Sequence, residues 1–222
     1  MLVGSVKRII NYGLRKVLKV EINRINTELD GKIYKKAKNW DYNITEKYWV
    51  GGRFRVSNFS NGYHGILQQW WEHYNKGKSC LLISENNKVK SEFEQCYPDM
   101  QFYTLDYYDN KGEAIDIEAD LCSNITEKIS TKFDLIVCQA TLEHLYNPFK
   151  AMENMISLLK EEGVVLLHTH LPVYYYHPYP RDYIRFHPDW FEDLPLFISK
   201  CEMIELYTVN GHIFAAYKKT SA

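Results

Sequence analysis

Glu143 and His144 stand side by side, His168 and His170 flank Thr169, and His177 opens a run in which Arg181, Asp182 and Arg185 alternate with tyrosine and proline. An imidazole takes or gives a proton near neutral pH, so His144 and His177 are the candidates for a general base. A neutral hydroxyl is a poor nucleophile, and group transfer to one needs such a base. The segment from Pro172 to Pro188 is stiffened by proline and rich in aromatic rings, and its charged side chains suit a sugar or a phosphate. Tyr176, Arg181, Asp182, Tyr183 and Arg185 are therefore assigned to the acceptor side, with His170 as a wall of the pocket. A plainer account of the same residues is an internal pair, Arg185 on Asp182, that only holds the loop. Glu143 reads at least as readily as an anchor for the loop after it. His168 and His170 share one face of an extended chain. A His-x-His pair can bind metal, but spacing alone offers no third ligand. His168 reads as structural, and no metal is expected.

These groups need strand ends to hold them. Asp134 to Cys138 reads as a buried strand, Pro148 to Leu159 as an amphipathic helix and Val164 to Thr169 as a second buried strand. That is a βαβ unit with its reactive residues at the carboxyl end of the first strand, where open α/β sheets place ligands. Upstream, Cys80 to Ile83 and Gln101 to Leu105 read as strands around a helix from Lys88 to Cys96, and Ala114 to Glu118 as a short third strand. Asp106 closes the second strand about 25 residues past the first, the position at which a carboxylate accepts hydrogen bonds from ribose hydroxyls. Residues 63–76 and Asp189 to Ile198 have helical spacing. Cys201 to Lys218 holds two apolar runs around Asn210-Gly211, the strongest short signal for a hairpin. The pattern predicts a mostly parallel sheet closed by an antiparallel pair, with helices on both faces.

Composition sets the outer bounds. A chain of 222 residues suits one α/β domain (63–222) preceded by a terminal segment (1–62). A formal net charge of −1 gives no reason to expect nucleic acid as a partner. Five cysteines without a CxxC pair read as reduced thiols in a cytoplasmic protein. Residues 2–29 have the spacing of a basic amphipathic helix, which packs on its own domain, meets a second copy or lies on an anionic membrane surface. Residues 30–62 read as a connection or a lid.

The stretch from Phe133 to Leu167 resembles the fourth and fifth motifs of class I S-adenosylmethionine-dependent methyltransferases of types 11 and 12, written FDxVxCxxxLEHLxxPxxxLxxxxxLLKPGGxLxxxxP. Pro172 to Pro188 resembles PxxxxxHxYPxDYWRFTPxG, a segment of members associated with glycan biosynthesis, with Ile184 in place of Trp and His187 in place of Thr. The resemblance covers roughly residues 78–218. It implies a Rossmann-like seven-stranded sheet and S-adenosyl-L-methionine as cofactor. It further implies a cofactor site made of Ser84, Glu85, Asn86, Asp106, Tyr107, Asp120, Leu121 and Gln139, with Asp120 and Leu121 at the adenine. The family's Glu-x-x-Glu-His metal signature is broken by Ala140.

The pattern departs at the first motif. Class I enzymes have a glycine-rich turn after the first strand, and here the chain runs Ser84-Glu85-Asn86-Asn87-Lys88 with no glycine. Asparagine tolerates left-handed angles, so Asn86 and Asn87 are expected to make the turn. The resulting expectation is O-methylation of a sugar, a glycan or another hydroxylated small molecule. Its alternative is a methyltransferase-fold protein without catalysis, serving as a binding or scaffold subunit.

Overall fold

The computed structural model describes residues 64–107, 114–172, 174–178, 181–209 and 211–221. The expected N-terminal helix and lid lie outside them. In chain order the elements are α1 (His64–Tyr74), β1 (Ser79–Ile83), α2 (Asn87–Cys96), β2 (Gln101–Asp106), β3 (Ile117–Glu118), β4 (Phe133–Gln139), a 3₁₀ turn (Leu142–His144), α3 (Pro148–Leu158), β5 (Leu159–His170), α4 (Pro188–Phe197), β6 (Cys201–Val209) and β7 (His212–Lys219).

The seven strands form one sheet in the order β3-β2-β1-β4-β5-β7-β6. β1 to β5 run parallel, and β7 pairs antiparallel with both β5 and β6. The order reverses between β1 and β4, and the crevice beyond their carboxyl ends is where such sheets take ligands. Every residue of β1 is buried, as expected of a central strand covered on both faces.

Helices cover both sides. On one face, Ile66, Leu67, Trp70 and Trp71 of α1 and Val89 and Phe93 of α2 pack on Cys80, Leu82, Phe102, Leu135, Val137, Leu166 and Phe214. On the other, Ala151, Met152 and Met155 of α3 and Phe191 and Leu194 of α4 pack on Leu81, Ile136, Val165, Leu167 and Tyr217. Two helix starts follow from local chemistry. The Asn86 side chain accepts the Val89 N–H, and Asn147, ahead of Pro148, accepts the Lys150 N–H at 3.1 Å.

Two strands differ from expectation. β3 holds only Ile117 and Glu118, because the Asp116 carboxylate accepts the Thr104 N–H at 2.9 Å and the Thr104 hydroxyl accepts the Asp116 N–H. Side chains there replace the ladder bonds that a longer strand would make. β5 begins five residues early, at Leu159, with a register shift opposite Phe133 and Leu135. Gly163 permits that irregular crossing: a Cβ there would lie 2.9 Å from the Lys160 carbonyl and 3.1 Å from those of Phe133 and Asp134. The hairpin falls where expected, with Gly211 at φ 84° between β6 and β7. Among the described residues no helix is long and apolar enough to cross a membrane.

Candidate active site

The carboxyl ends of β4 and β5 converge on one buried carboxylate. Glu143 lies in the 3₁₀ turn after β4 and is wholly buried. Its Oε2 accepts the Thr169 hydroxyl at 2.7 Å. Its Oε1 is 2.6 Å from His170 Nδ1, 3.5 Å from His177 Nε2 and 3.8 Å from His144 Nε2. Its backbone carbonyl accepts the N–H groups of Tyr183 at 2.8 Å and Ile184 at 3.3 Å. One residue therefore ties the β4 turn, the end of β5 and the Pro172–Pro188 loop together. Burial raises the Glu143 carboxyl, but the contacts with His170 and His177 and the Thr169 hydroxyl outweigh it and hold it well below its ordinary range.

The imidazoles around it differ in state. Burial lowers His170 more than Glu143 raises it, which favours the neutral ring. Glu143, helped by Asp182, outweighs the desolvation of His177 and raises it. His144 Nδ1 contacts the Arg181 carbonyl. A carbonyl only accepts, so that contact assigns the proton to Nδ1 and leaves the lone pair on Nε2.

The loop after β5 is stapled by Arg185. Its guanidinium pairs with both oxygens of Asp182 and donates to the carbonyls of Tyr175 at 2.8 Å and Ile184 at 3.0 Å. Asp182 also accepts the His177 N–H at 2.8 Å. Burial raises Asp182, and Arg185 with the His177 N–H overcomes it, so its carboxyl is lowered. The internal pair read from the sequence is thus present. Arg181, Tyr176 and Tyr183 are exposed on the same loop, the tyrosines at 71% and 55%.

The cofactor candidates lie at the other strand ends. The left-handed residue after β1 is Ser84, at φ 55°, and neither Asn86 nor Asn87 takes that role. Asn86 is extended, at φ −108° and ψ 173°, because its side chain is used as the cap of α2. The Ser84 N–H donates to the Leu105 carbonyl at 2.7 Å, which fixes the turn against β2. Glu85 is half-buried beside it. Asp106 ends β2 with Oδ1 accepting the Tyr107 N–H at 2.7 Å, and Tyr107 is exposed. Asp120 takes the Cys122 N–H on one oxygen at 2.8 Å and the Tyr146 hydroxyl on the other at 2.9 Å. That second bond is the main reason the Tyr146 hydroxyl is pushed up to about 12. Leu121 is buried in the core, and Gln139 ends β4 at 4% exposure. The Ser84 turn and the Asp106 carboxylate thus lie at the carboxyl ends of the adjacent strands β1 and β2, where sheets of this kind take nucleotide ligands.

His212 was missed by sequence reasoning. It pairs with His170 across β5 and β7, and its Nδ1 is 2.8 Å from His168 Nε2. Among the described residues, two groups of side chains have ligand atoms close enough to share a cation: His168, His170 and His212, and Glu143, His144 and His177, within 4.8 Å in each. The signal for His212 was the histidine just after the Asn210-Gly211 turn, which becomes legible only once β7 is known to lie beside β5.

Comparison with known proteins agrees with this architecture. A family model described as a methyltransferase domain matches residues 12–209. No curated protein matches the sequence. A SAM-dependent methyltransferase from Archaeoglobus fulgidus superposes with a TM-score of 0.52 at 12% identity, over 70% of this chain and 92% of that one. An S-adenosylmethionine-dependent methyltransferase from Clostridium acetobutylicum gives 0.51 at 11%, over 75% and 95%. The [4+2]-cyclase SpnF gives 0.52 at 11%, over 79% and 86%, so the shared architecture also hosts other chemistry. With most of its length matched by the family model and the sheet order in place, the chain belongs to the methyltransferase domain family, whose enzymes use S-adenosylmethionine as cofactor.

Proposed function

We propose that this protein methylates a hydroxyl group of a sugar, a glycan or a similar small acceptor, with His144 as the general base. The observation that carries this reading is the His144 ring, whose Nδ1 is held by the Arg181 carbonyl at the carboxyl edge of β4. The pinned tautomer offers Nε2 to an acceptor proton. His177 is less available, because its Nδ1 lies 3.0 Å from the Arg185 guanidinium, which only donates, and its Nε2 lies 3.5 Å from Glu143. The exposed tyrosines and Arg181 on the stapled loop suit a polyhydroxylated acceptor.

When bound, S-adenosylmethionine supplies an electrophilic methyl on a sulfonium. Ser84, Glu85 and Asn86 would hold its amino-acid end, and Asp106 its ribose hydroxyls. Asp120, Leu121, Tyr107 and Gln139 complete that side. His144 Nε2 would take the proton of the acceptor hydroxyl as that oxygen bonds the methyl carbon, whose bond to sulfur breaks to leave S-adenosylhomocysteine. Glu143, 3.8 Å away, then faces the positive charge on the ring. Positioning supplies much of the acceleration.

The test pairs calorimetric titration of S-adenosylmethionine and S-adenosylhomocysteine with transfer assays on nucleotide sugars and glycans. Micromolar cofactor binding is expected. His144→Ala should lower kcat by roughly 10²–10⁴-fold with cofactor affinity retained. Unchanged turnover in His144→Ala would remove it as the base.

A second reading, a scaffold without catalysis, has one observation in its favour. The Asn86 and Asn87 side chains occupy the first turn, Asn86 as a helix cap and Asn87 accepting the Thr104 hydroxyl at 3.0 Å. It predicts no heat and no thermal shift with either ligand.

A further inference from the structure

We infer that His168, His170 and His212 form a binding site for one divalent transition-metal ion, zinc foremost. His168 and His170 alternate along β5 on the face that carries Val164 and Leu166. His212 lies on the matching face of β7, in line with Phe214 and Ala216. Along both strands this face is apolar until it reaches the carboxyl edge, where three imidazoles replace aliphatic side chains. All three are buried, at 6%, 3% and 4% exposure. A buried polar ring is costly without a partner, and three together cannot all be charged.

The three rings stand close enough to share a cation, with ligand atoms within 4.8 Å of one another. The ring centroids form a near-equilateral triangle with sides of 5.2, 5.1 and 5.0 Å. Three imidazoles on a tetrahedral zinc with bonds of about 2.0–2.1 Å place their ring centres about 5.2 Å apart. The His168–His212 hydrogen bond, at 2.8 Å, must break to admit the ion, with the two nitrogens parting to about 3.3 Å and both rings turning from each other toward it. Its proton then moves to the donor ring's other nitrogen, and no charge is created on the ligands.

The surroundings supply what such a site needs. Glu143 Oε1, 2.6 Å from His170 Nδ1, places a carboxylate beside a prospective ligand, as histidine metal sites commonly do. Tyr174 stacks on His170 with centroids 3.8 Å apart and shields the cluster from water. Three neutral nitrogen donors suit zinc, cobalt or nickel and suit magnesium or calcium poorly. With three protein ligands, the fourth position stays open.

The test uses the full chain without a histidine tag, stripped with chelator and titrated with zinc chloride by calorimetry. One equivalent should bind. His168→Gln and His212→Gln, each checked for native circular dichroism, should weaken binding about a hundredfold or more, and His177→Gln should retain it. X-ray absorption of the zinc-loaded wild type should show three imidazole nitrogens at about 2.0 Å, a readout that needs no variant. Absence of stoichiometric binding, absorption without imidazole scattering, or loss confined to His177→Gln would overturn the assignment. No cofactor or acceptor enters these measurements, so their failure leaves the methyl-transfer reading standing.

Discussion

Glu143 does several jobs at once. It holds a hydroxyl, contacts three imidazoles and accepts two backbone N–H groups, all from a position without solvent. Removing it leaves the Thr169 hydroxyl without its buried acceptor and His170 without the carboxylate beside it. Glu143→Ala should therefore destabilise the fold by about 3 kcal/mol, read from urea denaturation. Glu143→Gln keeps the shape and should cost less. Equal stability of Glu143→Ala and wild type would show that the carboxylate is not the anchor its contacts describe. Here sequence reasoning went part of the way. Glu143 reads as a loop anchor because a Glu-His pair follows a buried strand, yet apart from the adjacent His144 its partners lie 26 and more residues downstream and only packing brings them to it.

At the scale of elements, the turn after β1 holds a strained angle and the start of β4 holds a charged clasp. Ser84 holds a left-handed angle that a β-carbon disfavours by about 1 kcal/mol. Ser84→Gly should raise stability by up to about that amount, and Ser84→Val should lower it, both measured by thermal and urea unfolding. At the opposite edge, Asp134 of β4 clasps β1. Its Oδ2 accepts the N–H groups of Lys78 and Ser79, the Ser79 hydroxyl and the Lys160 ammonium. Burial raises the carboxyl, but these donors outweigh it and bring it from 3.8 to about 2. A lowered folded value means the stabilisation is complete above about 4 and is lost as pH falls through about 2. Asp134→Asn should flatten the stability profile across that window. A profile as steep as that of wild type would refute the clasp.

At the scale of the molecule, one sheet separates two apolar layers, and cross-layer ties hold helices to it. The Tyr217 hydroxyl on β7 donates to the Phe191 carbonyl of α4 at 2.7 Å, in a buried setting that raises the phenol well above its ordinary range. Tyr217→Phe should lower stability by about 1 kcal/mol, with the denaturant slope unchanged. A neutral result would mean that the ring alone carries the packing. The same architecture brings the last strand beside β5, and so delivers His212 to His168 and His170.

Within the described residues, local patterning was enough for most of the elements and for the fold class. Buried runs, amphipathic spacing and the Asn210-Gly211 turn all act within a few residues, and the motifs from Phe133 to Leu167 resembled those of the family. The exceptions were also local in cause. Asp116 and Thr104 shortened β3, and the capping role of Asn86 passed the left-handed turn to Ser84. The site was different, because it depends on pairing across the sheet. Whether His170 faces Glu143, whether Arg185 is spent on Asp182, and which histidine completes the cluster on β5 are set by strand order and register. Those follow from the burial of two apolar faces by the whole chain at once, and no window of neighbouring residues contains that information.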